Sequence, residues 1–350
     1  MPEGHGATRP SQCSRTASPT TGAVLERRCQ VAAPAATATK SLFSKTNDMD
    51  KAGNARHSAR TKITVAAMES ESDSPVHHQQ RSAFIRNLVQ RSSVPQATRS
   101  DARCVPSSIV QFWDDLAKLP EDVRECIATW SRWKTSGFVH RVFDTESAAQ
   151  FIGRSFGPDH ARAFTRCYHP AMQADYFRLC YLFVEGGMYV DADDVCMARD
   201  ISSLFDGSSL KVQPLCYDIE SDSMVSPRDF LQAGANDDGW IFYFNNNPLV
   251  ACPRDPIIRR ALERATQLLN DAADGELPEI QSTTGPGNLS RAVFELGAAS
   301  EGNDQIQVLK GWDSIAVSRW PLSYRRDTRN WRLSNGKSFH AACRSFNESI

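Results

Sequence analysis

Apolar positions are sparse and unpatterned through the first hundred residues, then become dense and periodic from Val105 onward. Ser108-Ile109-Val110-Gln111-Phe112-Trp113 reads as a buried strand ended by Asp114-Asp115. Leu119-Pro120-Glu121-Asp122 opens a helix that runs toward Trp133, with proline and acids in the first turn, where a helix start favours them. Residues 138–143 form a second strand, and Asp144 or Thr145 caps a helix through Phe151-Ile152. Over residues 171–185, Met172, Tyr176, Leu179 and Phe183 recur at three-to-four spacing and predict a mostly buried helix. Gly186-Gly187 stops it. Met188-Tyr189-Val190 is then a short apolar strand that meets Asp191-Ala192-Asp193-Asp194. Farther on come a strand at 240–244, a polar turn at 245–248, an extended run at 249–252 and an amphipathic helix at 256–269. A loop at 283–287 leads into a helix near 290–296. Alternating strands and helices predict an α/β fold with a single, doubly wound, mostly parallel sheet.

Composition divides the chain in two. Residues 1–100 are rich in Ser, Thr, Ala, Arg and Pro and carry 14 Lys and Arg against 7 Asp and Glu. They read as a disordered basic leader holding one short helix at 82–90. Residues 101–350 carry 26 Lys and Arg against 34 Asp and Glu and read as the folded domain. An acidic domain excludes a general nucleic-acid binder, because phosphate contacts need basic side chains. None of the ten cysteines forms a C-x-x-C pair, so they read as reduced core thiols rather than a zinc site. No run reaches the roughly 18–20 apolar residues of a membrane span. A cytoplasmic protein is expected, with a secreted effector left open by the basic leader.

The candidate chemistry lies at the acidic strand end. In open α/β sheets, ligands bind outside the carboxyl ends of the strands. Asp191 and Asp193 stand two apart there, which in an extended chain puts both carboxylates on one side. Such a pair can hold a hard cation, Mn²⁺ or Mg²⁺, able to neutralise a leaving diphosphate. The alternative is an acidic strand cap facing solvent.

Ala174-Asp175-Tyr176-Phe177-Arg178 followed by Gly186-Gly187-Met188-Tyr189-Val190-Asp191-Ala192-Asp193 resembles the D-x-D signature of glycosyltransferase family 32. That family includes fungal initiating mannosyltransferases and bacterial capsule-type enzymes, and the large clostridial toxin glucosyltransferases share a similar segment. The resemblance covers roughly residues 105–295. It implies a GT-A type nucleotide-diphospho-sugar transferase fold and a retaining hexosyl transfer from a UDP- or GDP-sugar to a polysaccharide, glycolipid or protein acceptor. It implies that Asp191 and Asp193 meet the metal, the ribose and the diphosphate, with Asp193 the firmer ligand. Asp175 and Arg178 would hold the sugar hydroxyls, or else form a helix ion pair. Tyr189 would stand near the donor, or be a core tyrosine. Trp113 would stack on the donor base, or close the core at a strand end. Gly285 and Gly287 mark a loop near donor or acceptor, or a tight turn. A late ligand would come from Ser318, in a Ser-x-Trp-like element, or from Asn330 or His340.

Two other classes remain. Val190-Asp191-Ala192-Asp193-Asp194-Val195 also resembles the start of a haloacid-dehalogenase phosphatase, where the first aspartate is a nucleophile. A pseudo-transferase acting as an interaction module is the non-catalytic alternative.

Overall fold

The computed structural model describes residues 75–91, 105–299, 305–319 and 321–334. In chain order the main elements are helix α1 (Pro75–Gln90), strand β1 (Ser108–Phe112), α2 (Glu121–Ser131), β2 (Val139–Phe143), α3 (Thr145–Ser155), α4 (Pro158–Thr165), α5 (Pro170–Val184), β3 (Gly187–Tyr189) and β4 (Asp194–Cys196). There follow β5 (Leu210–Asp218), β6 (Ser223–Met224), β7 (Trp240–Ala251), α6 (Pro256–Asp271), α7 (Pro286–Ala299), β8 (Ile306–Val308) and β9 (Ala316–Ser318). The remaining helical stretches are short turns.

The α/β class stands. The main sheet runs β2-β1-β3-β7-β5-β6, with β8 added on β5. β1 is parallel to both β2 and β3, so the parallel half of the sheet is the half that carries the acidic strand end. The expectation of one mostly parallel sheet needs two amendments. β7 lies between β3 and β5 and runs antiparallel to both. β4 and β9 form a separate two-stranded antiparallel sheet.

Alternation along the strands divides the core between the two faces. Val110, Phe112 and Tyr189 pack with apolar side chains of α3 to α7. Ile109, Met188 and Val190 face the other way, toward Trp130, Trp133 and Trp312. Gly186 and Gly187, at φ +66° and +100°, make the hinge between α5 and β3. A Cβ on Gly187 would lie 2.7 Å from the Ser108 carbonyl oxygen, so only glycine lets β3 pair so closely with β1.

Several elements differ from the sequence reading. The leader helix starts at Pro75, and Ile85, Leu88 and Val89 are part of the main core. Ser82 Oγ accepts the Phe242 amide at 2.9 Å, tying α1 to β7. The remainder of the expected leader lies outside the described residues. The 245–248 turn and the runs around it are one strand, β7. Helix α4 and strands β4 and β5 were not foreseen. Cys126, Cys167, Cys180, Cys196 and Cys216 are buried thiols, whereas Cys252 is disulfide-bonded, contrary to the expectation for the set. Among the described residues, no helix is long and apolar enough to cross a membrane.

Candidate active site

Helix α5 is capped by His169, whose Nδ1 accepts the Ala171 amide, and its buried side includes Asp175 and Arg178. These residues are one turn apart and so share a face. Arg178 is 3% exposed and every edge of its guanidinium is engaged. Nη2 contacts Asp175 Oδ1 at 2.8 Å and Asp191 Oδ1 at 3.1 Å. Nη1 donates to the Asn246 carbonyl at 2.6 Å, and Nε to the Ala174 carbonyl at 3.4 Å. The guanidinium carbon lies 4.2 Å from the centre of the Tyr189 ring. Burial alone would weaken its charge, but Tyr189 and the carboxylates of Asp191 and Asp175 outweigh burial and hold it fully ionised.

Asp175 is enclosed. Asn246 Nδ2 donates to Oδ1 at 2.8 Å and Thr284 Oγ1 reaches Oδ2 at 3.5 Å. Burial pushes its carboxyl up to about 6, against the pull of Arg178. Gly285 borders it, and a Cβ there would lie 3.2 Å from Oδ2.

The acidic stretch is a turn, not an extended run: the Asp194 amide donates back to the Asp191 carbonyl at 3.2 Å. The same-side argument therefore fails in detail. Asp191 turns to Arg178, whereas Asp193 turns to the late chain. Tyr324 donates to Asp193 Oδ2 at 2.8 Å, and Arg325 pairs with the same oxygen. The two carboxylates still interact, since Asp193 adds to the effect of burial in raising Asp191. Asp194 is 2% exposed and its carboxyl is raised, by burial first and then by Asp193 and Asp191.

Three buried amides support the site from behind, two of them at the turn itself. Gln111 Nε2 donates to the Asp191 carbonyl at 3.1 Å, and its Oε1 meets His140 Nε2 at 2.8 Å. Asn247 Oδ1 accepts the Asp191 amide at 2.9 Å, and its Nδ2 donates to Asp194 Oδ2 at 2.9 Å. Asn246, the third, holds Asp175.

Asp175, Arg178, Tyr189 and Asp191 thus form one contact set. Asp193 adjoins it, and Trp113 joins through Tyr324, whose ring meets it edge-on at 5.1 Å. Ser318 pairs with Asp194 across β4–β9, and its Oγ is 3.5 Å from Arg325 Nη2. Asn330 is farther off and donates to the Arg325 carbonyl. Gly287 packs on Gln281 and Ser282. His340 lies outside the described residues. Sequence reading missed Gln111, Asn246, Asn247, Tyr324 and Arg325. The one local signal was three asparagines inside an otherwise apolar stretch.

Residues 120–210 match the family model described as "Glycosyltransferase sugar-binding region containing DXD motif". Over these residues the chain is similar to DXD-containing glycosyltransferase sugar-binding regions. A curated relative, "Uncharacterized glycosyltransferase L373" of Acanthamoeba polyphaga mimivirus, is 26% identical over 97 residues. These are 26% of this chain and 37% of that protein, so the matched part spans little more than a third of the relative. A solved structure, "PaToxG Glycosyltransferase", aligns with a TM-score of 0.39 at 15% identity, over 63% of this chain and 79% of that one. The matched transferase region includes α2 to α5, β3 and the whole acidic turn.

By ligand type the turn suits a hard divalent cation. The side chains around it offer carboxylate and hydroxyl oxygens, from Asp191, Asp193 and Ser318. Among the described residues, no group of three or more His, Cys, Asp or Glu is arranged to hold a metal. The protein would then supply Asp191 and Asp193, leaving other positions to ligand or water.

Proposed function

We propose that this chain is a retaining hexosyltransferase of GT-A type, which moves a sugar from a nucleoside-diphosphate donor to an acceptor hydroxyl on a glycan, lipid or protein. The observation that carries this reading is the Asp175–Arg178–Asp191 chain at the carboxyl end of β3, within the DXD glycosyltransferase region. Arg178 is immobilised by five contacts, so Asp191 is oriented before any donor arrives. Asp191 and Asp193 would bind Mn²⁺ or Mg²⁺, which when bound neutralises the departing diphosphate. Asp175 would accept a sugar hydroxyl, while Tyr189 holds Arg178 in place. Trp113 would carry the base, where stacking on an aromatic ring contributes about 1–3 kcal/mol.

The phosphatase alternative would need the Asp191 carboxylate free to attack, yet Arg178 pairs with it and lowers its nucleophilicity. A panel of UDP- and GDP-sugars with Mn²⁺, scored for donor hydrolysis, tests the proposal. One donor should be hydrolysed slowly, with activity lost in Asp193→Ala and with EDTA. Hydrolysis indifferent to both treatments refutes the site, and phosphate release from phosphomonoesters without sugar transfer supports the phosphatase.

A further inference from the structure

We infer that residues 322–334 form a self-inhibitory plug that takes the place of both the donor's base and its cation. The inference rests on the donor reading above and concerns the regulation of that same site.

Two contacts carry it. The first is at the carboxylate. Arg325 places a guanidinium on Asp193 Oδ2, with the Tyr324 hydroxyl 2.8 Å from the same oxygen. That oxygen cannot hold a guanidinium, a phenol and a metal at once. The second is at the indole. The Tyr324 ring stands edge-on to Trp113 at 84°, and the Arg329 guanidinium carbon is 5.9 Å from the Trp113 ring centre. Trp113 is only 7% exposed, so no base can stack on it while Tyr324 and Arg329 remain. One short segment thus supplies an aromatic ring for the base and a cation for the metal.

The plugged arrangement leaves Trp113 incomplete. Its indole Nε1 is buried without a hydrogen-bond partner among the described residues. A buried unpaired donor is costly, and a ribose or base oxygen would satisfy it. The site is therefore better matched to a ligand than to the plug.

The plug is tied by polar contacts at several points, while Leu322 and Ser334 are buried and Trp331 packs against the main core. Ser323 donates to the Asp122 carboxylate through its amide, at 2.6 Å, and through its hydroxyl, at 2.9 Å. Arg329 pairs with Asp114 at 3.2 Å. His169 Nε2 lies 3.0 Å from the Thr328 carbonyl and 2.8 Å from Ser334 Oγ. The segment contains only single helical turns. Such a unit can open without unfolding the sheet. Apparent donor affinity is then reduced by the fraction of molecules that are open.

The test is isothermal titration of the full chain with UDP and with GDP, each with Mn²⁺. Wild type is compared with Arg325→Gln and Arg329→Gln, and hydrogen exchange is followed over 322–334. Each variant should bind a nucleoside diphosphate roughly tenfold more tightly than wild type, since a charged hydrogen bond of the closed state is gone. Amides of 322–334 should exchange faster once nucleotide is added. Equal or weaker binding by both variants overturns the plug. So does slower exchange on binding, which would make the segment a lid that closes over the donor. Wild-type binding with either of those results removes the plug alone. No binding by wild type or either variant removes the donor reading, and the plug with it.

Discussion

Asp191 and Asp193 are two residues apart, yet they belong to regions of opposite character. Asp191 is held by Arg178 on a fifteen-residue helix, and its backbone is gripped on both sides by Gln111 and Asn247. Asp193 is held by Tyr324 and Arg325, on a segment of single turns whose own ties are to side chains. Both carboxylates find an arginine. On the Asp191 side the arginine cannot leave without breaking the contact between α5 and the sheet. On the Asp193 side it can leave with its segment. On the reading proposed above, one acidic motif would combine a fixed half, which orients, with an exchangeable half, which would accept a new cation.

Removing the two arginines in turn is the sharpest way to break this comparison. Arg178→Leu strands the buried Asp175 carboxylate and the half-buried Asp191, and should lower the unfolding free energy by about 3–5 kcal/mol. Arg325→Leu also loses a pair of low exposure, but its segment can swing out and return Asp193 to water. The loss is then limited to the cost of local opening and should be clearly smaller. Urea denaturation of both variants measures the difference, and equal losses would abolish the distinction between the halves.

Asn247→Ala comes next in size. It removes the acceptor for the Asp191 amide and the donor to Asp194 Oδ2, leaving buried groups unmatched at a cost of about 1–3 kcal/mol. The same denaturation series measures it. A loss below that of Arg325→Leu would place the rigidity of the turn elsewhere than in β7.

The fixed half was the legible half. Apolar spacing along α5, the glycine pair and the acids after a three-residue strand are local signals, and all of them concern residues within about twenty positions of one another. Asp175 and Arg178 were singled out by the family resemblance, and helical spacing puts them on one face. What supports them could not be read so. Asn245-Asn246-Asn247-Pro248 has the composition of a turn. It is a strand because Asn246 and Asn247 meet Asp175 and Asp194 across more than fifty positions of sequence. β5 was missed for a similar reason: Lys211, Gln213 and Pro214 break its alternation, and Lys211 is buried only because its Nζ finds the Asp206 carbonyl at 2.7 Å. The Asp193 side was illegible because an arginine-rich late segment has no apolar period to place it. Its partner lies 132 positions earlier.

The smallest effect probes the fixed half through pH. Asp175 is one of the groups that neutralise Arg178, yet burial leaves its own carboxyl near 6. An unfolded aspartate titrates near 3.9. The folded chain therefore takes up this proton more readily than the unfolded chain. Wild type gains stability from it below about pH 4 and loses that gain as pH rises through about 6. Asp175→Asn has no such proton. Its stability relative to wild type should climb between about pH 4 and pH 6 and level off above, as thermal denaturation in a buffer series would show. A slope of the opposite sign would mean that the attraction of Arg178 exceeds the cost of burial at Asp175. The ion pair would then be the source of rigidity on the Asp191 side, rather than the amides and apolar packing that surround it.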